Sequence, residues 1–124
     1  MGKYLVKKAT GGFMFVLKAG NGEPIGHSEV YTSMSACTKG IASVTKNAPV
    51  AQVEDQSEEG YAAVKHPKFE LYLDKREEYR FRLKATNGEI ILSSESYKQK
   101  SGCLNGIESV RKNADSPTEK EEEA

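Results

Sequence analysis

Residues 15–48, FVLKAGNGEPIGHSEVYTSMSACTKGIASVTKNA, and residues 81–114, FRLKATNGEIILSSESYKQKSGCLNGIESVRKNA, align without a gap at an offset of 66, and 20 of the 34 positions are identical. A chain built from one unit used twice must fold so that both copies satisfy the same local requirements. A unit of about 50 residues buries too little apolar surface to be comfortable alone, so the two copies are expected to complete one core around an approximate two-fold axis. The expected fold class is α+β: two tandem β-β-β-α(-β) repeats in one domain, with one shared antiparallel sheet and two helices. Residues 1–53 form repeat 1, 54–66 a linker and 67–114 repeat 2. Residues 115–124, with Glu119, Glu121, Glu122 and Glu123, read as a disordered acidic tail.

Asn21-Gly22 and Asn87-Gly88 sit between alternating segments, the pattern of a tight hairpin with positive φ at the turn. A two-residue loop sets Leu17 opposite Gly26, Phe15 opposite Ser28 and Phe13 opposite Val30, with Leu83, Phe81 and Tyr79 opposite Leu92, Ser94 and Ser96. That is the buried face. The other face then carries Met14, Val16 and Lys18 against Glu29, His27 and Ile25, and Arg80, Arg82 and Lys84 against Glu95, Ser93 and Ile91. An earlier strand joins each hairpin, residues 4–7 and 69–73. Beyond the third strand the period lengthens to about 3.6, with Cys37, Ile41, Val44 and Ala48, and Cys103, Ile107, Val110 and Ala114, on one stripe of a helix. Ser33 or Ser35 suits the first N-cap, and Ser101 or a residue just before it the second. Asn47 and Asn113 suit a left-handed helix end. Gly40 and Gly106 recur inside the helices despite their cost, which points to close contact with the sheet or the other helix.

The repeated set Lys-Ala-x-Asn-Gly-Glu, Ser-Glu-x-Tyr and Gly-Ile-x-Ser-Val-x-x-Asn-Ala resembles the YegP-like family of small, mostly bacterial proteins over residues 3–114. The resemblance implies a tandem-duplicated form of a strand-strand-strand-helix-strand unit that exchanges its last strand, residues 50–53 in repeat 1. Residues 115–124 offer no equally apolar strand for a second exchange. The resemblance implies a fold and carries no mechanism.

Lysine plus arginine and aspartate plus glutamate both number 18, so no global field gathers nucleic acid or an anionic membrane. With no leader-like or spanning apolar run, the expected location is the cytoplasm, away from membranes, with no cofactor and no metal. Cys37 and Cys103 are expected to pack as small hydrophobes rather than react. His27 and His66 do not recur and read as ordinary surface. Three surfaces remain as candidates. Leu5, Met14, Val16 and Ile25 form an apolar face suited to a protein partner or to self-association. Tyr72, Arg80, Arg82 and Lys84 form a basic face with an aromatic platform, suited to single-stranded nucleic acid, but only repeat 2 carries it. Ser28, Glu29 and Tyr31, repeated as Ser94, Glu95 and Tyr97, form a polar set that could bind a small molecule or could serve only the strand-to-helix turn. The reading that fits best is a non-enzymatic interaction module in a monomeric pseudo-dimer.

Overall fold

Tyr4 and Val6 on one strand, and Phe13, Phe15 and Leu17 on the next, place an apolar row on alternate positions. The computed structural model, which describes residues 2–121, turns these rows toward two helices. β1 (Lys3–Ala9), β2 (Gly12–Lys18) and β3 (Pro24–His27) lead to α1 (Met34–Asn47) and β4 (Gln52–Asp55). The second copy repeats this as β5 (Lys68–Leu73), β6 (Tyr79–Lys84), β7 (Ile90–Ser93), α2 (Lys100–Asn113) and β8 (Thr118–Lys120). The strands form one sheet in the order β4-β5-β6-β7-β3-β2-β1-β8. Exchanging the copies reverses that order and changes nothing else, as a two-fold requires. The halves join where His27 lies opposite Ser93.

Both helices cover the same side, and one core draws on both copies: Tyr4, Phe15, Phe69 and Phe81 are fully buried with Val44, Ile107 and Val110. Each such side chain contributes about 1.5–3 kcal/mol on burial. Tyr4 Oη donates to the Ala114 carbonyl at 2.6 Å, and Thr45 Oγ1 donates to the same oxygen at 2.7 Å, so the end of α2 is fastened to repeat 1. No helix among the described residues is long and apolar enough to cross a membrane.

The sheet is mixed, which corrects the expectation of a wholly antiparallel one. β4 pairs in parallel with β5, and β8 with β1. Successive antiparallel pairings make β1 and β5 run in opposite directions, so a last strand opposed to its own first strand lies parallel to that of the other repeat. Both repeats therefore exchange their last strand. The tail reading is corrected for residues 118–121: Tyr4 N donates to Pro117 O at 2.9 Å and Glu121 N to Val6 O at 2.8 Å. An edge strand of three residues needs backbone bonds rather than apolar side chains, and Lys3 and Lys7 offset its acidity at 3.2 Å from Glu119 and 3.7 Å from Glu121. Residues 122–124 of the expected tail lie outside the described residues.

The hairpin loops have three residues, not two. Gly22 N donates to Ala19 O, Ala19 N donates to Glu23 O and Gly22 has φ 85°, the pattern of a type I turn followed by a glycine bulge. Asn87-Gly88 repeats it. Lys18 consequently lies opposite Pro24, and Lys84 opposite Ile90. Ile25 and Ile91, expected on the open face, pack against the core instead. At the far end Phe13 faces Tyr31 and Tyr79 faces Tyr97, not Val30 and Ser96. Arg80 accordingly meets Asp74 at 2.8 Å rather than Glu95.

Ser33 caps α1, its hydroxyl accepting from Ala36 N at 3.1 Å, whereas Gln99 caps α2 without a side-chain bond. Asn47 and Asn113 are helical rather than left-handed. Each turns its amide back to donate to the carbonyl of Ser43 or Ser109 at 2.8 Å, and the backbone continues helically into Ala48 and Ala114.

Candidate functional site

The repeated Ser-Glu-x-Tyr residues serve the fold at most of their atoms. Ser28 Oγ accepts from Phe15 N at 2.9 Å and donates to Glu29 O at 2.8 Å; Ser94 does the same with Phe81 N and Glu95 O at the same distances. The serine thus satisfies backbone groups that the irregular strand end leaves unpaired. Tyr31 stacks on Phe15 with ring centroids 6.3 Å apart, and Tyr97 on Phe81 at 6.4 Å. Their phenol ends lie over Gly40 and Gly106, which accounts for the recurrent helix glycines. Burial, reinforced by the charge of Glu29 at Tyr31 and by Cys103 and Glu95 at Tyr97, raises both phenol pKa values. The side chains of Glu29 and Glu95 are exposed.

On the helix-free side of repeat 2 the expected basic face is paired throughout. Glu70 accepts from Arg82 at 2.6 Å and lies 3.2 Å from Lys84 Nζ and 3.3 Å from Lys68 Nζ. Lys68 reaches Glu54 at 2.7 Å. Arg82 stacks over the Tyr72 ring at 4.4 Å. Glu54, Lys68 and Glu70, which motif reading passed over, are 2%, 8% and 3% exposed. Their signal was alternation, since Lys68 and Glu70 flank Phe69 and must share a face with Arg82.

Residues 56–67 supply part of the cover. Val64 N donates to Glu54 Oε2 at 2.9 Å, and Gln56 Nε2 donates to Oε1 at 2.6 Å. The next residue, Asp55, points to the helix side and holds Lys100 at 3.0 Å, which also binds Glu58 at 2.8 Å. The linker is therefore tied to both sides of β4. Burial pushes the Glu54 carboxyl up, but the bonds from Lys68, Gln56 and Val64 outweigh it and bring the pKa down to about 2. Burial likewise opposes ionisation of Glu70, and Arg82, Lys84 and Lys68 overcome it.

Register puts Leu5, Val16 and Met14 of repeat 1 where repeat 2 has Glu70, Arg82 and Arg80. All three are half-buried. Met14 and Val16, with Pro24 and His27, line a groove of about 360 Å³ rimmed by Lys7, Lys18 and Glu95. The glycine bulge replaces Ile25 with Pro24 at this surface. His27 is exposed, His66 lies in the linker, and Cys37 and Cys103 are fully buried. Among the described residues no group of three or more His, Cys, Asp or Glu is placed to hold a metal ion.

The domain of unknown function DUF1508 matches residues 9–55 and again residues 74–121. The UPF0339 protein YegP of Escherichia coli K12 is 38% identical over 117 residues, 94% of this chain and 93% of the relative. The chain belongs to the UPF0339 family. A UPF0339 protein encoded in the ptx operon 5′ region of Stutzerimonas stutzeri is 72% identical over 46 residues, 37% of this chain and 41% of that relative; this chain thus spans under half of that protein. The solution NMR structure of the UPF0339 protein SO3888 from Shewanella oneidensis superposes with a TM-score of 0.78 at 34% identity, covering 96% of this chain and 90% of that one. Set in the UPF0339 fold, the basic face of repeat 2 is internally paired, whereas the equivalent face of repeat 1 places Met14, Val16 and Pro24 in a groove with solvent access.

Proposed function

We propose that this UPF0339 chain is a non-enzymatic binding module whose contact surface is the helix-free face of repeat 1, built on Leu5, Met14 and Val16 and continued by Pro24. The observation that carries this reading is the contrast between equivalent positions: an internally paired Glu70–Arg82–Lys84 cluster in one copy, and in the other the apolar Leu5 and Val16, with Val16 and Met14 on the floor of a groove whose rim is charged. A sheet face that needs only solvation has no use for three apolar side chains in register, and apolar patches of this kind mark contacts. Nucleic-acid binding through Arg80, Arg82 and Lys84 is disfavoured, because a phosphate would first have to displace Asp74 or the buried Glu70. Small-molecule binding at the repeated polar set is disfavoured because its serines and tyrosines already have partners within the fold.

Sedimentation across a concentration series, with photo-crosslinking from position 14, tests the reading with Val16 retained and with Val16→Glu. Contacts weakened by Val16→Glu and unaffected by Arg80→Glu are expected. Contacts indifferent to Val16→Glu would remove the proposed face.

A further inference from the structure

A pair of lysines recurs on the helix-free side of the sheet in both repeats, and only repeat 2 places a carboxylate between its two members. Lys3 faces Lys18 across β1 and β2 as Lys68 faces Lys84 across β5 and β6. Like charges directly opposed on two strands repel. In repeat 2 Glu70 answers this: its carboxylate lies 3.3 Å from Lys68 Nζ and 3.2 Å from Lys84 Nζ, and accepts from Arg82 at 2.6 Å.

Leu5 faces Val16 as Glu70 faces Arg82, so register gives Leu5 the place of the acid and Val16 the place of the arginine. Repeat 1 thus lacks both members of that pair and keeps both lysines. Lys3 finds Glu119 at 3.2 Å on the neighbouring strand. Lys18 is half-buried and makes no ion pair among the described residues. It stands instead on the rim of the groove of about 360 Å³ that Met14, Val16 and Pro24 line. The rim sets Lys7 and Lys18 against the single carboxylate of Glu95.

We infer that this groove takes a small amphiphilic carboxylate. Its anionic end sits over Leu5 between Lys3 and Lys18, in the role that Glu70 plays in repeat 2, and its apolar body lies on Val16 and Met14. This rests on the reading that the repeat 1 face is a contact surface, and it names the ligand class. The groove volume falls within the range of small-ligand pockets, about 300–1,000 Å³. The two lysines select the charge of the ligand and orient it, while removal of apolar surface from water supplies most of the affinity.

The test is an NMR titration of the full, 15N-labelled chain with hexanoate, with hexan-1-ol and with acetate, all at one ionic strength. Hexanoate is expected to shift the amides of Leu5, Val16 and Lys18 saturably, with a dissociation constant of about 1 mM, as ligands of this size reach. Acetate, which lacks the apolar body, and hexan-1-ol, which lacks the charge, are each expected to bind about tenfold more weakly or worse. Lys18→Gln should weaken hexanoate about tenfold, the loss typical of a hydrogen bond to a charged group. Leu5→Glu, which restores the internal acid of repeat 2, should abolish hexanoate binding. Equal binding of hexanoate and hexan-1-ol would overturn the inference and leave the face an apolar contact. Shifts confined to the surroundings of Arg82 or to the helices would overturn it as well. Absence of a saturable shift on repeat 1, with sedimentation still sensitive to Val16→Glu, would end this inference and preserve the reading beneath it.

Discussion

Replacing Gly40 with alanine sets two effects of known sign against each other. Inside α1 the change removes a glycine cost of about 1 kcal/mol relative to alanine, so on propensity alone the protein gains stability. The added methyl would, however, stand 2.8 Å from Tyr31 Cζ and 3.2 Å from Phe15 Cε2, with Tyr31 Oη closer still. Phe15 is fully buried and Tyr31 is stacked on it, so neither ring can yield without disturbing the core. Overpacking of this kind costs about 1–3 kcal/mol. The net expectation is a destabilisation of about 1 kcal/mol, the difference between those two estimates. Gly106 provides an internal replicate, since its methyl would lie 3.0 Å from both Tyr97 Cζ and Phe81 Cε2. Urea unfolding followed by circular dichroism gives the stability, with an unchanged m-value confirming that the unfolded state is not the cause. In a Tyr31→Ala background the closest obstruction is gone and Phe15, at 3.2 Å, can yield into the space the phenol vacates, so Gly40→Ala should stabilise, completing a double-mutant cycle whose coupling is about 2 kcal/mol. A stabilising Gly40→Ala in the wild-type background, or the same sign in both, would refute the assignment of this glycine to tyrosine packing.

Glu70→Leu, which copies Leu5 of repeat 1, should cost about 3–5 kcal/mol because it strands the cations around a buried acid; Glu70→Leu with Arg82→Val should recover part of that loss in the same denaturation assay. Glu54 has its folded pKa brought from 4.5 to about 2, so its contribution is fully present above pH 4.5 and is lost as pH falls toward 2; Glu54→Gln should flatten the acid limb of stability against pH in that window. Burial raises the thiol pKa of Cys37 and pushes that of Cys103 up to about 12, with the charge of Asp55 adding to the latter, so a disulfide-exchange reagent at pH 8 should modify neither until denaturant is added. Tyr4→Phe removes the 2.6 Å bond to Ala114 O and should destabilise by about 1 kcal/mol in the same assay.

The duplication made most of the architecture legible, because residues such as Cys37 and Cys103, or Ser28 and Ser94, could be tested against each other. The strand rows and the helix stripes follow directly from their periods. The hairpin loop did not. Asn21-Gly22 fits a two-residue loop, in which both residues take positive φ, and equally a three-residue loop in which only Gly22 does, and the choice moves Ile25 and Ile91 from one face to the other. β8 escaped notice because a short edge strand held by backbone bonds carries no apolar row. At the candidate site, Leu5, Met14 and Val16 were visible by alternation, whereas the neutralisation of Arg82 and Lys84 was not. Their partner Glu70 lies on another strand, and only register shows that it lies opposite Arg82.

The divergence of the two faces has a physical origin in the connectivity. Two repeats related by a two-fold present two equivalent helix-free faces, but the linker between them occurs once, and its ends at β4 and β5 confine it to the face of repeat 2. A buried carboxylate is tolerable only with its charges and lone pairs satisfied, and there the linker, through Val64 N and Gln56 Nε2, satisfies the Glu54 oxygens together with Lys68. Glu70 beside it can then be held by three cations out of water. No equivalent connection reaches across repeat 1 among the described residues, so the corresponding pair, Lys3 with Glu119, stays in solvent and is worth little. Leu5 in place of a glutamate removes the demand for buried charges on that side. The same substitution leaves Leu5 as an apolar surface beside a solvent-exposed carboxylate, and the proposed contact face of repeat 1 rests on that asymmetry.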